Sequence, residues 1–166
     1  MLVLGHVEVT LKVIKIAHYN IAQINIAQAK DEMDSSIMAG FTTRLDEINE
    51  LADDSKGFVW RLQDDKGNAS AMRVFEDKLT LVNMSVWETL EDLKVFVYQS
   101  FHKELLSNKR DWFSKITSSH QALWWIRKGR LPSVNEGKIK LLQLDREGPS
   151  EEVFSIAKPS LPPAHL

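Results

Sequence analysis

The chain has no cysteine in 166 residues. That absence removes disulfides, thiolate metal ligands and cysteine nucleophiles together, and it suits a reducing cytoplasm. No apolar run approaches the roughly 20 residues a membrane span needs, so no membrane partner is expected. An excess of one charge sign is missing too. The formal net charge is −2, which gives no basis for following a phosphate backbone, and no nucleic-acid partner is expected. Glycine is sparse, and Gly67 stands alone in a hairpin rather than in a phosphate-cradling loop. No serine sits in a nucleophile elbow. His6, His18, His102, His120 and His165 show no ligand spacing, and no helix pairs a histidine with a carboxylate, so no metal site is expected.

What remains is ordinary for a soluble globular chain: 43% hydrophobic and 27% charged residues, with length enough for one independent core. Residues 1–17 read as an N-terminal extension, either an extra strand or a ragged end. Glu8, Lys12 and Lys15 interrupt any signal-peptide core there. Residues 18–156 form the single expected domain. The Pro-rich residues 157–166 read as a disordered tail.

The domain is organised around Leu81 to Glu88 and the helix that follows. Val82, Met84 and Val86 alternate with Leu81, Asn83, Ser85 and Trp87, the pattern of a strand with one apolar face. The other face carries an amide, a hydroxyl and an indole in a row, a mixture that suits a lined pocket. Tyr19 to Gln28 repeats the split: Ala22, Ile24 and Ile26 on one side, Gln23 and Asn25 on the other. Met38 to about residue 54 carries helical spacing, ended by Gly57. Phe58 to Gln63 is a strand, and residues 64–75 complete a hairpin arm turned at Gly67. From Leu90 an apolar stripe through Trp112 and Ile116 predicts one long helix, N-capped by Thr89. Tyr98, His102 and Arg110 lie beside that stripe. His120 to Lys128 is a strand apolar on both faces, Val134 to Arg146 a final helix, and Val153 to Ile156 a short strand.

This order predicts an α+β fold: one antiparallel sheet with helices on one face. The uncovered face would then expose Trp60, Trp87 and one of Trp124 and Trp125. Each indole buries roughly 150–250 Å², so a second copy of the chain is the simplest cover, and a homodimer is expected.

Several motifs carry a resemblance: Trp60-Arg61-Leu62-Gln63, Gly67-Asn68-Ala69, Asn83 to Glu88, Arg110 to Phe113 and Leu123-Trp124-Trp125. Together, over roughly Tyr19 to Ile156, they resemble an uncharacterised bacterial family, a domain of unknown function. That family is grouped with the dimeric α+β barrel superfamily, which includes the antibiotic-biosynthesis monooxygenases. Trp87-Glu88 followed by Leu90, Leu93, Phe96, Ser100 and His102 is similar to the superfamily's Trp-Glu…His signature. The resemblance implies a ferredoxin-like protomer whose sheet pairs with a partner's into a barrel-like dimer. It also implies a pocket between sheet and helices for polycyclic aromatics, haem or small reactive metabolites. In the haem-degrading members an Asn, a Trp and a His are functional, and the matching positions are Asn25, Trp87 and His102. Arg130 departs from the pattern, standing where the family usually has His, and the hairpin arm is longer than in ordinary superfamily members.

Three readings follow. In the first, the protein binds a small aromatic or polyketide-like molecule and acts as an oxygenase without metal, haem or flavin. His102, with Asn25 or Ser85, removes a proton. Trp87, Trp60, Asn83 and Tyr98 hold the ring, and Arg73 and Arg110 hold an anionic group. In the second, His102 is the axial ligand of a haem. In the third, the tryptophans are interface residues of a non-enzymatic, ligand-sensing or structural dimer. Each residue also has a plainer role: His102 packed in its helix, Arg110 paired near Asp111, the aromatic residues in core.

Overall fold

The structure, a computed structural model, describes residues 18–63, 75–102 and 108–163, and of residues 101 and 102 the backbone alone. Five strands and five helices are found there: β1 (Tyr19–Ala29), α1 (Ala39–Thr42), α2 (Leu45–Asp53), β2 (Phe58–Arg61), β3 (Thr80–Trp87), α3 (Leu90–His102), α4 (Lys109–Trp112), β4 (Phe113–Ser114), β5 (Gln121–Arg127) and α5 (Val134–Glu147). The N-terminal extension and residues 64–74 of the expected hairpin arm lie outside the described residues.

The sheet is antiparallel throughout, in the order β2-β3-β1-β5, and β4 continues beside the end of β1. The central strand β1 runs along β3 from Ile21↔Trp87 to Gln28↔Thr80, and along β5 from Tyr19↔Arg127 to Asn25↔Gln121. Phe154 adds one bridge to Leu123, so the stretch expected as a short strand touches the sheet at a single rung. The Pro-rich end lies against β5 as far as it is described. The Trp125 indole donates to the Ser160 carbonyl at 2.9 Å, and Pro162 is buried.

Helices cover both faces of the sheet, not one. On the first face Ala22, Ile24, Val82, Met84, Val86 and Trp124 form an apolar layer with Leu141 and Leu144 of α5. Close approach there requires Gly137, where an added Cβ would stand 2.9 Å from Met84 Cε and 3.1 Å from Ile24 Cδ1. The Ser133 hydroxyl caps α5, accepting from the Glu136 amide at 3.1 Å. On the second face Ile21, Trp87 and Leu123 pack under Leu93 of α3. The Thr89 hydroxyl caps α3 by accepting from the Asp92 amide at 3.1 Å. Alternation reads each strand's faces, but β1, β3 and β5 place apolar groups on both, and each side therefore recruits helices. With Trp87 and Trp124 buried inside the protomer, the need for a second copy to cover them disappears.

The expected long helix does not run on to Ile116. It is described as α3 to His102, and Trp112 belongs to the separate short α4. Trp112 docks instead against α1, where a Cβ on Gly40 would meet its indole at 3.0 Å, and its carbonyl accepts from Lys30 N at 2.9 Å. Phe113 then takes extended geometry at φ −122° and starts β4. A tertiary anchor thus overrides an apolar period that would otherwise continue a helix.

Candidate functional site

The second face of the sheet has two apolar ends with a polar band between them. At one end lie Ile21, Trp87 and Leu123; at the other Ala29, Met38 and Trp112 form a separate cluster. Between them the register brings Gln23 beside Ser85, and Asn25 between Asn83 and Gln121. A cleft opens over this band between α2, β2, β3 and α3. It is lined by Ile48, Asn49, Ala52, Arg61, Asn83, Ser85, Trp87 and Phe96. Its free space is about 20 Å³, room for a single water.

A chain of hydrogen bonds crosses three strands beneath the cleft. Gln121 Nε2 donates to Gln23 Oε1 at 3.0 Å, and Gln23 Nε2 donates to Ser85 Oγ at 2.8 Å. Trp87 Nε1 donates to the same Ser85 Oγ at 2.8 Å. Gln23 and Ser85 are each 4% exposed, so these bonds are made away from bulk water, where an unmade bond costs most.

Trp87 is 0% exposed. Phe96 stacks on it at 5.0 Å between centroids, and Phe58 meets it edge-on at 5.5 Å. Its ring faces are therefore spent on neighbours, and it offers the cleft an edge rather than a stacking platform.

Arg61 is the one charged side chain in the described lining. Its Nε donates to Asp53 Oδ1 at 2.8 Å and its Nη2 to Asp53 Oδ2 at 3.2 Å, a two-pronged pairing that balances its charge at the rim. Asn49 and Asn83 add amides. The described lining therefore supplies hydrogen-bond donors and acceptors but no carboxylate and no imidazole.

Of the residues singled out in the sequence, Asn83, Ser85 and Trp87 meet in the cleft. Asn25 lies one rung along the polar band, outside the lining. Trp60 is on the opposite face: Phe58 pairs with Trp87 but Trp60 pairs with Val86, because a β-bulge between them shifts the register. It packs on the α5 side of the sheet, so Trp60 and Trp87 do not wall one pocket. Tyr98 is 64% exposed on α3, and Arg110 is exposed on α4; neither reaches the cleft. His102 is the last described residue of α3, and its side chain, like the whole of Arg73, lies outside the described residues. Asn49, Gln121 beneath the cleft, and Arg61, which the sequence offers only within the Trp60 to Gln63 motif, are not among the candidate site residues read from the sequence. No local pattern marks them; a bulge, a helix docking and a strand register place them there.

Among the described residues no group of three or more His, Asp or Glu side chains could hold a metal ion. No helix among them is long and apolar enough to cross a membrane.

Residues 20–166 match the family model described as Domain of unknown function (DUF3291), and the chain belongs to that family. No curated protein matches the chain.

Proposed function

We propose that this member of the family binds a small molecule at the cleft walled by Asn83, Ser85 and Trp87. The carrying observation is the buried Ser85 hydroxyl, held between the Gln23 amide and the Trp87 indole and facing that cleft. Polar chains of this kind are costly to bury, and an apolar layer would pack the sheet as well, as the α5 side demonstrates. The strand order β2-β3-β1-β5, all antiparallel, supports a ferredoxin-like protomer. The homodimer of the α+β barrel type stays in the proposal on the resemblance alone, since helices cover both faces of the sheet.

The catalytic form of this reading is a cofactor-independent oxygenase. His102 takes a proton from an electron-rich aromatic or polyketide-like substrate, and the resulting anion passes one electron to O₂. The substrate radical and superoxide join through a C–O bond. The peroxide takes the proton back from His102 and loses water, so that substrate and O₂ give a ketone and water. The described lining offers no base, and this reading assigns the proton-removing step to His102. The space of about 20 Å³ holds neither a haem nor an aromatic ring whole, so in this reading the ring lies at the mouth of the cleft with one oxygen inside.

Protein-observed NMR with a library of small fragments tests binding. The Trp87 indole N–H signal, assigned by its loss in Trp87→Phe, should move with saturable dependence on at least one compound class. A library that leaves it still overturns the site. Oxygen uptake with hydroxylated aromatics, compared with His102→Ala, tests the chemistry, and equal rates remove His102 from it. Light scattering tests the dimer.

A further inference from the structure

Resting on the proposed binding cleft, we infer that its ligand is a neutral carbonyl compound, that Ser85 is the donor to its oxygen, and that the Gln121–Gln23 amide pair sets the direction of that donation. A serine hydroxyl has one proton and two acceptor lone pairs. Ser85 Oγ accepts from Gln23 Nε2 and from Trp87 Nε1, so both acceptor positions are used. The proton is what remains to it, and the cleft is the open side of the residue. A group arriving there meets a hydrogen-bond donor, polarised further by the two bonds it already accepts.

The chain of bonds fixes this polarity from a distance. Gln121 donates to the Gln23 carbonyl, which turns the Gln23 amide nitrogen toward Ser85. Turning both amides over would reverse every bond: Gln23 would present its oxygen, Ser85 would donate to it, and the cleft would lose its proton. Trp87 cannot reverse, because an indole nitrogen only donates. Gln121 is thus a positioning residue, three hydrogen bonds away from the ligand oxygen.

Charge selects within the acceptor class. Arg61 is already paired by two bonds with Asp53, so the described lining has no unbalanced cation to favour a carboxylate. The edge of Trp87 and the side chains of Phe96, Ile48 and Ala52 make the remaining wall apolar. The oxygen of a small ketone or aldehyde fits that combination, taking the single-water space of about 20 Å³ while its carbon groups lie at the cleft mouth.

The test follows the Trp87 indole signal of the full chain during titration with acetone, acetate and methylammonium. Acetone should give a saturable shift, with acetate no tighter and methylammonium inactive. Gln121→Glu presents only acceptors, forces the reversed setting and should weaken acetone about tenfold, the loss of one hydrogen bond. Gln121→Lys presents only donors, holds the original setting and should bind acetone as the wild type does. Gln121 is half-buried and outside the cleft, so both variants should fold, and a merely structural role would move them alike. Equal acetone affinity in the two variants overturns the directional role. Acetate about tenfold tighter than acetone overturns the neutral-carbonyl assignment. Methylammonium shifting the signal while acetone does not overturns the donor role of Ser85 yet leaves the cleft standing as a site.

Discussion

The two faces of the sheet solve the same problem differently. Under α5 the layer is apolar from Ala22 to Val86 to Trp124, and a glycine in α5 lets the helix settle onto it. Under α2 and α3 the apolar layer is interrupted, and a serine, two glutamines and two asparagines occupy the middle of β1, β3 and β5. Both faces belong to the same strands, so backbone pairing cannot account for the contrast. It lies in what covers each face. A close-packed helix excludes water and rewards shape, whereas a cleft admits water and requires polar groups to be bonded in a network. The difference places the close-packed apolar layer on the α5 side and the proposed site on the α2/α3 side.

The sharpest test of that division compares large truncations. Trp124→Ala on the α5 side and Trp87→Ala on the cleft side should each cost about 3–5 kcal/mol in denaturant unfolding. Ligand response should change only for Trp87→Ala. A Trp124→Ala protein that folds but no longer answers ligand would break the assignment of roles.

Overfilling comes next. Gly137→Val should cost about 1–3 kcal/mol, because Met84 and Ile24 have to give way. A stabilised variant would mean that the α5 layer is looser than its geometry indicates.

Ser85→Ala should cost about 1–3 kcal/mol by leaving the Trp87 and Gln23 donors without their acceptor. In Trp87→Phe the indole donor is gone, and adding Ser85→Ala should cost less than it does alone. Strict additivity in that cycle would separate the two groups energetically.

A smaller effect concerns Glu136 at the start of α5. Burial works against its charge, but hydrogen bonds from Arg130 and Trp124, with the Arg130 charge, outweigh it and hold the carboxyl below its ordinary value. A depressed folded-state value means the contribution is present above the unfolded carboxylate range and is lost as pH falls through the folded one. The pair is partly exposed, so solvent screening keeps the effect under about 1 kcal/mol. Thermal melts from neutral pH into the acid range should show wild type losing more stability than Glu136→Gln. Parallel curves would detach Glu136 from the acid response. Smallest of all, Asn83→Ala at an exposed lining position should change stability by less than about 0.5 kcal/mol.

Much of this architecture is legible in local pattern. The period-two alternation of β1 and β3, the doubly apolar β5, the caps at Thr89 and Ser133 and the stop at Gly148 all follow from neighbouring residues. So does the grouping of Asn83, Ser85 and Trp87, because alternation alone places them on one side of one strand. The position of Trp60 is not legible, since it depends on a bulge at Val59 that exists only when β2 meets β3. Trp112 reads as a continuation of α3 until Gly40 gives its indole a seat.

By itself, then, the sequence determined β1, β3 and β5, their apolar sides and the polar residues on the second face, because side-chain alternation and capping act over a few positions. Tertiary structure alone decided that both faces are covered, that Arg61 and Asn49 join the cleft, and that Gln121, Gln23, Ser85 and Trp87 bond in one chain. Those outcomes depend on register and helix docking between segments dozens of residues apart, where no local period carries the information.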